Sequence, residues 1–110
     1  GLPDGAFFQP TVLADVAQDS ECVQQEIFGP VLTVMPFDTE DEAIALGNDT
    51  RYGLAASVWS ESVSKAGHLA RGLEAGVVWV NGTNRFDASS EFGGRKESGY
   101  GREGGGPNKT

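Results

Sequence analysis

The sequence predicts an α/β fold in which strands and helices alternate as a βαβαβ unit with a parallel sheet. Three observations lead to this prediction. Short runs rich in β-branched and aromatic residues alternate with segments of helical periodicity, the spacing leaves room for one helix between successive runs, and the run at 77–81 is apolar almost throughout. A strand that is apolar on both faces is typical of a parallel sheet covered by helices. We expect the crossovers to be right-handed.

Four runs are candidates for strands. A brief one covers 11–13, and a stronger one at 31–37 follows the turn pair Gly29-Pro30. Two more cover 54–59 and 77–81. The last three runs supply the three strands of the predicted sheet.

Two helices are predicted between these strands. The first begins at Thr39, since Thr39 and Glu42 have the spacing of a capping box and the acidic first turn suits the positive end of the helix dipole. Asn48 lies near its end. The second helix covers about 62–75, and Gly76 supplies its C-terminal stop.

Beyond these elements the sequence predicts a glycine-rich loop and tail at 82–110. Seven of the fourteen residues from Gly93 to Gly106 are glycine. Gly99, Gly101 and Gly104 match GxGxxG, but that fingerprint binds a dinucleotide only where a strand precedes it and a helix follows. Neither condition is met here, so the pattern predicts no phosphate site.

Length and charge exclude several classes of protein. A chain of 110 residues allows one domain at most, and 16 acidic against 8 basic side chains give a net charge of −8, which argues against nucleic-acid binding. No stretch approaches the ~20 apolar residues of a membrane span, and the N-terminus lacks the pattern of a signal peptide. We therefore expect a soluble, cytoplasmic protein that binds neither nucleic acid nor membrane.

The single cysteine and the single histidine give no sign of a metal or catalytic centre. A structural zinc site usually takes four Cys or His ligands, so we predict no metal. Cys22 has Glu21 and Glu26 as sequence neighbours, which oppose thiolate formation. His68 lies on the polar side of the second predicted helix. We predict no catalytic residue in this chain.

Glu26 and Phe28 form the first candidate binding site. They stand two residues apart, directly before a rigid Gly-Pro turn that leads into a strand. A carboxylate held there can accept hydrogen bonds from a ribose diol, and an aromatic face can pack on a flat ring. The alternative is a surface glutamate and a core phenylalanine, which are the ordinary fates of these residue types.

Phe86 and Phe92 form the second candidate site. They lie on the loop after the strand at 77–81, and in open α/β sheets ligands bind beyond the carboxyl ends of the strands. The two rings are therefore candidate walls of an apolar pocket. The alternative is that both fold back under their own loop.

Four blocks of sequence carry a resemblance to a known family. They are residues 25–31 (QEIFGPV), 48–54 (NDTRYGL), 76–81 (GVVWVN) and 92–103 (FGGRKESGYGRE). In order and spacing they resemble the C-terminal part of the NAD(P)-dependent aldehyde dehydrogenase superfamily, and the resemblance covers about 5–104. It implies that 1–110 is the C-terminal part of an aldehyde dehydrogenase-like catalytic domain.

The resemblance implies an oxidoreductase that converts an aldehyde to a carboxylic acid with NAD or NADP. In such enzymes the position of Glu26 holds the nicotinamide ribose hydroxyls, and that of Phe28 contacts the nicotinamide end of the cofactor. The positions of Phe86 and Phe92 line the aldehyde pocket. The position of Asn81 is structural.

The family's reacting groups precede this segment. The nucleophilic cysteine, the oxyanion-hole asparagine, the general-base glutamate and the main dinucleotide-binding domain all lie upstream, and Cys22 does not match the nucleophile. The resemblance therefore implies that these 110 residues need the remainder of a dehydrogenase chain and are inactive alone.

Some positions depart from the family's pattern. Gln25 replaces a common glutamate, Glu91 replaces a proline, and the tail 104–110 lacks the final strand through which members associate. Homo-oligomers are thus expected of a full enzyme and in doubt for this segment. The alternative function is a non-catalytic interaction module, or a separately encoded subunit, whose exposed sheet edge docks on a partner chain.

Overall fold

A computed structural model of the chain describes residues 5–105, and its strands and helices fall in two units, Gly1–Phe37 and Asp38–Thr110. The elements, in chain order, are β1 (Thr11–Ala14), α1 (Glu21–Gln24), β2 (Val31–Val34), α2 (Glu40–Asn48), β3 (Ala55–Val58), α3 (Val63–Gly72), β4 (Val77–Val80), β5 (Glu91–Phe92), a 3₁₀ turn (Lys96–Ser98) and β6 (Glu103–Gly104).

The first unit contains a parallel pair of strands joined by a short helical turn. β1 and β2 pair in register from Thr11 opposite Val31 to Ala14 opposite Val34, with α1 between them in sequence. Side chains of a strand alternate between its two faces, and both strands alternate between half-buried and exposed residues. One face of the pair therefore exposes apolar side chains, among them Val12 and Leu32.

The second unit has β3 and β4 as a parallel pair, joined through α3. Ala55 lies opposite Val77, and Val58 lies opposite Val80. Strand, helix and parallel strand follow one another as predicted. α3 ends at Gly72, a few residues before the predicted end, because its last backbone bond is the one from Leu73 N–H to the carbonyl of Leu69.

The predicted cap of α2 is present, with one difference. Thr39 Oγ1 accepts the N–H of Glu42 at 3.1 Å, and the Glu42 carboxylate accepts the N–H of Asp38 at 2.7 Å. In a capping box that second bond goes to the cap residue itself. Here it goes to Asp38, one residue before the cap, so the carboxylate joins the preceding chain to the first turn. The prediction of a helix that begins at this point is confirmed.

Helices α2 and α3 are held together at their C-terminal ends. A Cβ added to Gly72 would stand 2.6 Å from Ile44 Cδ1, so a side chain at this position would force Ile44 to move. The Asn48 side chain donates to the Gly72 carbonyl and accepts the N–H of Glu74, both at 2.8 Å. An ion pair of 2.9 Å between Lys65 and Glu40 adds a surface link.

Strand pairing differs from the single parallel sheet that the sequence predicts. The described strands form three two-stranded sheets, so β2 pairs with β1 and β3 pairs with β4. Periodicity identifies which segments are extended but not which of them pair. The brief run at 11–13, which the prediction left outside the sheet, supplies the partner of β2.

The glycine-rich segment is more ordered than a plain loop. β5 and β6 pair antiparallel, with Phe92 opposite Glu103, and the 3₁₀ turn lies between them. Strands of two residues leave no detectable alternation, which explains why the sequence predicts only loop here. The tail at 106–110 lies outside the described residues.

Few apolar side chains of the described residues are fully buried. Val58 is 6% exposed and Ala66 is 2% exposed, and these two are the buried apolar residues. Several large side chains are instead open to solvent: Phe7, Phe28, Trp59, Val63 and Phe86. No helix in 5–105 is long and apolar enough to cross a membrane.

Candidate functional site

Glu26 and Phe28 lie in the irregular stretch between α1 and β2. Phe28 has a left-handed backbone, with φ of 53°, and its side chain is 93% exposed. Gly29 O accepts the N–H of Val31 at 2.8 Å, which makes a tight turn into β2. The alternative of a core phenylalanine is therefore wrong, because Phe28 presents nearly its whole ring to solvent.

The Glu26 carboxylate is available for a ligand. The side chain is exposed, and among residues 5–105 it forms no hydrogen bond or ion pair. A carboxylate accepts through both oxygens, so it can hold two hydroxyls of a diol. The exposed Phe28 ring two residues later offers a flat apolar surface. These groups fit a ribose joined to an aromatic ring.

Phe86 and Phe92 meet, and Trp79 joins them. The Phe86 ring packs edge-on to Phe92 with centroids 5.0 Å apart, and edge-on to Trp79 with centroids 5.6 Å apart. The Trp79 indole N–H donates to the Arg85 carbonyl at 2.9 Å, which ties the loop to β4. We call Trp79, Phe86 and Phe92 the aromatic cluster. Phe86 remains 64% exposed, so the cluster presents a ring to solvent.

The backbone that carries Phe92 lies elsewhere than the sequence predicts. The loop leaves β4 at Asn81, at the carboxyl end of the strand. It then returns along β4, and the Gly93 carbonyl lies in close contact with Gly76, the residue before β4. A Cβ at Gly76 would overlap the Gly93 carbonyl oxygen. Phe92 is therefore attached to backbone at the amino end of β4, and the expectation that this backbone lies beyond the carboxyl end is wrong. The cause is this close approach of two glycines.

Asn81 closes the carboxyl end of the parallel pair. Its side chain accepts the N–H of Ser60 at 2.9 Å and donates to the Ser60 carbonyl at 3.0 Å, while its own N–H donates to the Val58 carbonyl at 2.7 Å. These bonds join the ends of β3 and β4. They fit the structural role that the resemblance implies for this residue.

Backbone bonds dock the 3₁₀ turn on the connection between α2 and β3. The Gly53 carbonyl accepts the N–H groups of both Gly76 and Arg95, at 3.0 and 2.8 Å. Gly53 N–H donates to Ser98 Oγ at 2.9 Å, and Glu97 N–H donates to the Arg51 carbonyl at 3.0 Å. The segment that follows Phe92 is thus fixed at several consecutive residues.

Lys96 adds a charged link to the same region. Its ammonium donates to the carbonyls of Asn48 and Thr50, at 2.8 and 3.1 Å, and forms an ion pair of 2.8 Å with Glu74. The hydrogen bond from Lys96 lowers the pKa of the Glu74 carboxyl below its ordinary value of 4.5. A cation at these carbonyls also suits the negative end of the α2 dipole.

The polar contacts of Cys22 and His68 are with residues outside both candidate sites. Cys22 Sγ is 3.3 Å from Ser20 Oγ, within α1 and its cap. His68 is exposed and forms an ion pair of 3.0 Å with Asp41. Within residues 5–105, no group of three His, Cys, Asp or Glu side chains is arranged to hold a metal ion.

Sequence reasoning found the four candidate residues but missed two that support them. Trp79 is part of an apolar strand, and an apolar run does not reveal which ring meets a later loop. Lys96 is one cation in a polar, glycine-rich stretch. Its left-handed backbone, with φ of 52° at a residue other than glycine, is a mark of constraint that only the structure reveals.

Comparison with known proteins identifies close sequence relatives. The profile of the aldehyde dehydrogenase family matches residues 1–109. The 2-hydroxymuconic semialdehyde dehydrogenase of Pseudomonas putida is 50% identical over 104 residues, which are 94% of this chain and 21% of that protein. The betaine aldehyde dehydrogenase of Bacillus subtilis is 46% identical over 93% of this chain and 21% of its own length. The chain thus spans about a fifth of the length of the curated relatives it matches.

Solved structures agree with this result. The NAD+ complex of an aldehyde dehydrogenase from Bacillus cereus has a TM-score of 0.91 and 47% identity, over 96% of this chain and 21% of that one. The Mycobacterium tuberculosis aldehyde dehydrogenase complexed with NAD+ has a TM-score of 0.87 and 50% identity, over 92% and 21%. These matches confirm the predicted α/β fold class.

Proposed function

Because the chain belongs to the aldehyde dehydrogenase family, we propose that residues 1–110 form the C-terminal part of the catalytic domain of an NAD(P)-dependent enzyme that oxidises an aldehyde to a carboxylic acid. The observation that carries the proposal is the family match, which extends over nearly the whole chain at about half identity to named dehydrogenases. In this proposal the chain supplies binding surfaces, while the nucleophile and the general base come from the remainder of the protein.

Glu26 and Phe28 contribute the cofactor contacts. The Glu26 carboxylate accepts hydrogen bonds from the two hydroxyls of the nicotinamide ribose, and the Phe28 ring packs against the nicotinamide end. Bound NAD(P) accepts the hydride of the reaction. The support is the exposure of both side chains beside the rigid turn at Gly29, which holds them at a set spacing. NAD and NADP differ at the other ribose, so these two residues serve either cofactor.

Phe86 and Phe92 contribute part of the aldehyde pocket. The rings of the aromatic cluster present an apolar surface, and an apolar surface favours the uncharged aldehyde over water and over the carboxylate product. The edge-on packing between the two phenylalanines holds them in one geometry. Phe92 is further fixed by the docked segment that follows it.

The exposed apolar side chains support the view that this segment packs against more protein. Val63 is 88% exposed, and Val12 and Leu32 lie open opposite each other on one face of the β1–β2 pair. Exposed apolar surface of this kind marks an interaction site. The same observation also favours the alternative function, in which the chain is a separately encoded subunit that completes a partner.

The intact mass of the native polypeptide decides between these alternatives. We would recover it from its source with an antibody against this segment. A mass several times 11.6 kDa supports a longer dehydrogenase. A mass near 11.6 kDa supports the separate subunit and contradicts the single longer chain.

Substitution of Glu26 tests the cofactor contact in that polypeptide. A hydrogen bond to a charged group contributes about 1.5–3 kcal/mol, so Glu26→Gln should weaken NAD(P)H binding by roughly ten- to a hundredfold. The measurement is a fluorescence titration with NADH and with NADPH. Glu61→Gln is the matched control, because Glu61 is also exposed and forms no bond or ion pair among residues 5–105. Unchanged affinity in Glu26→Gln, or an equal loss in Glu61→Gln, contradicts the assigned role.

A further inference from the structure

We propose that Lys96 is a positioning residue that sets the width of the aldehyde pocket by fixing the backbone that carries Phe92. The inference rests on the proposed function, because Phe92 is a pocket wall only in that proposal. Lys96 itself touches neither ring in the contacts described above. It acts on the segment that runs from Phe92 into the 3₁₀ turn.

The contacts of Lys96 are those of an anchor. One ammonium group joins three backbone or side-chain oxygens from two different connections, those of Asn48, Thr50 and Glu74. The Lys96 side chain is only 26% exposed, so these bonds are shielded better than those of a surface lysine. Charge-assisted bonds of this kind are stronger than neutral ones.

The backbone of Lys96 supports the same interpretation. Its φ of 52° is unfavourable for a residue with a side chain, and surrounding contacts must maintain it. Those contacts are the bonds of its neighbours, Arg95 N–H to Gly53 O and Glu97 N–H to Arg51 O. The side chain and both adjacent peptide groups therefore bind the connection between α2 and β3 together.

This anchor reaches Phe92 through two glycines. Gly93 presses on Gly76, and the Gly94 carbonyl accepts a hydrogen bond from the Arg102 guanidinium at 2.7 Å. The backbone at these glycines is held by Gly76 and by Arg102, so the position of Phe92 depends on these contacts together with the segments on either side. On one side Phe92 pairs with Glu103, and on the other stands the docked turn with Lys96.

The test compares three lysine variants in the native polypeptide. Lys96→Met removes the ammonium but keeps the length of the stem, and Lys96→Arg keeps the charge. Lys65→Met is the matched control, because Lys65 also forms a lysine–glutamate pair between two elements, of 2.9 Å, but does so with Glu40 on α2. Glu74→Gln, which removes one partner of Lys96, serves if Lys96→Met does not fold.

Two readouts are taken, and one is independent of activity. Hydrogen exchange is followed in the peptide 91–98, and kcat and KM are measured with propanal and with benzaldehyde. In Lys96→Met we expect at least tenfold faster exchange in 91–98 and a roughly three- to tenfold higher KM for benzaldehyde, the size of one aromatic contact. We expect kcat and the KM for propanal to change less than about twofold, since the smaller aldehyde makes less contact with aromatic rings.

The outcomes separate this inference from the proposed function. Positioning by Lys96 is supported if the KM for benzaldehyde in Lys96→Arg lies between those of the wild type and Lys96→Met. The KM in Lys65→Met should equal that of the wild type. Unchanged exchange in 91–98, or an equal rise of KM for both aldehydes, overturns it. A wild-type protein that reduces neither NAD nor NADP with any of a panel of aliphatic, aromatic and semialdehyde substrates contradicts the proposed function, and exchange in 91–98 then decides alone whether Lys96 anchors the segment.

Discussion

Replacement of Gly76 by alanine tests the close approach that returns the glycine-rich segment to the amino end of β4. An added Cβ would overlap the Gly93 carbonyl oxygen, and it would stand 2.8 Å from the Gly93 carbonyl carbon and 3.2 Å from the Leu54 carbonyl oxygen. Two carbon atoms prefer a separation of about 3.5–4.0 Å. Because the carbonyl oxygen is closer still, Gly93 must move by more than about 1 Å in Gly76→Ala.

The size of the effect follows from the bonds that such a shift breaks. A displacement of about 1 Å takes the 2.8 Å bond from Arg95 N–H to Gly53 O, and the 2.7 Å bond from Arg102 to Gly94 O, beyond hydrogen-bonding distance. The first contributes about 1 kcal/mol and the second, with a charged donor, about 2 kcal/mol. We expect Gly76→Ala to lower the free energy of unfolding by about 3 kcal/mol.

Equilibrium unfolding in urea measures this loss in the native polypeptide, with the slope unchanged and the midpoint lowered. Gly101→Ala is the control, because a Cβ there meets nothing within 4 Å and Gly101 is not among the positive-φ residues. It should change the free energy of unfolding by less than about 0.5 kcal/mol. A Gly76→Ala protein as stable as the wild type, or a Gly101→Ala protein equally destabilised, would refute the reasoning.

Three further predictions use the same unfolding measurement. Thr39→Ala removes the cap of α2 and should cost about 1 kcal/mol, whereas Thr39→Ser should restore most of it; equal stability of all three proteins would contradict the role of the cap. Asn48→Ala removes two bonds to the end of α3 and should cost about 2 kcal/mol, and a loss confined to a few tenths would mean that solvent replaces them. The pKa of Glu74 is lower in the folded chain, chiefly through its bond from Lys96, so its contribution to stability is present above pH 4.5 and is lost as pH falls below that value. Glu74→Gln should abolish this part of the pH dependence, and parallel pH profiles for variant and wild type would contradict it.

Local patterns in the sequence were sufficient for helices α2 and α3 and for the strands that flank them, but the short helix α1 was not predicted. Thr39 and the acidic first turn determine where α2 begins, and the apolar runs at 55–58 and 77–80 identify β3 and β4. Pairing depends on contacts between distant residues, which periodicity does not encode. For that reason the pairing of β2 with β1 was not predicted, and neither were the two-residue strands β5 and β6.

The candidate site shows the same division. Glu26 and Phe28 are candidates on local grounds, because a Gly-Pro turn follows them within a few residues. That Phe86 meets Phe92 depends on the return of the loop along β4, which the contact between Gly76 and Gly93 determines. A sequence shows two glycines far apart in number, and nothing in either one indicates that they touch.

The shared carbonyl of Gly53 has a kinetic consequence. It binds the N–H of Gly76 and the N–H of Arg95, and the first of these bonds closes the shorter loop of chain. Because the entropic cost of closing a loop grows with its length, β3 should pair with β4 before the 3₁₀ turn docks. The Gly53 carbonyl is then already in place to accept the N–H of Arg95. Substitutions in 93–98 should therefore accelerate unfolding and leave the rate of folding nearly unchanged.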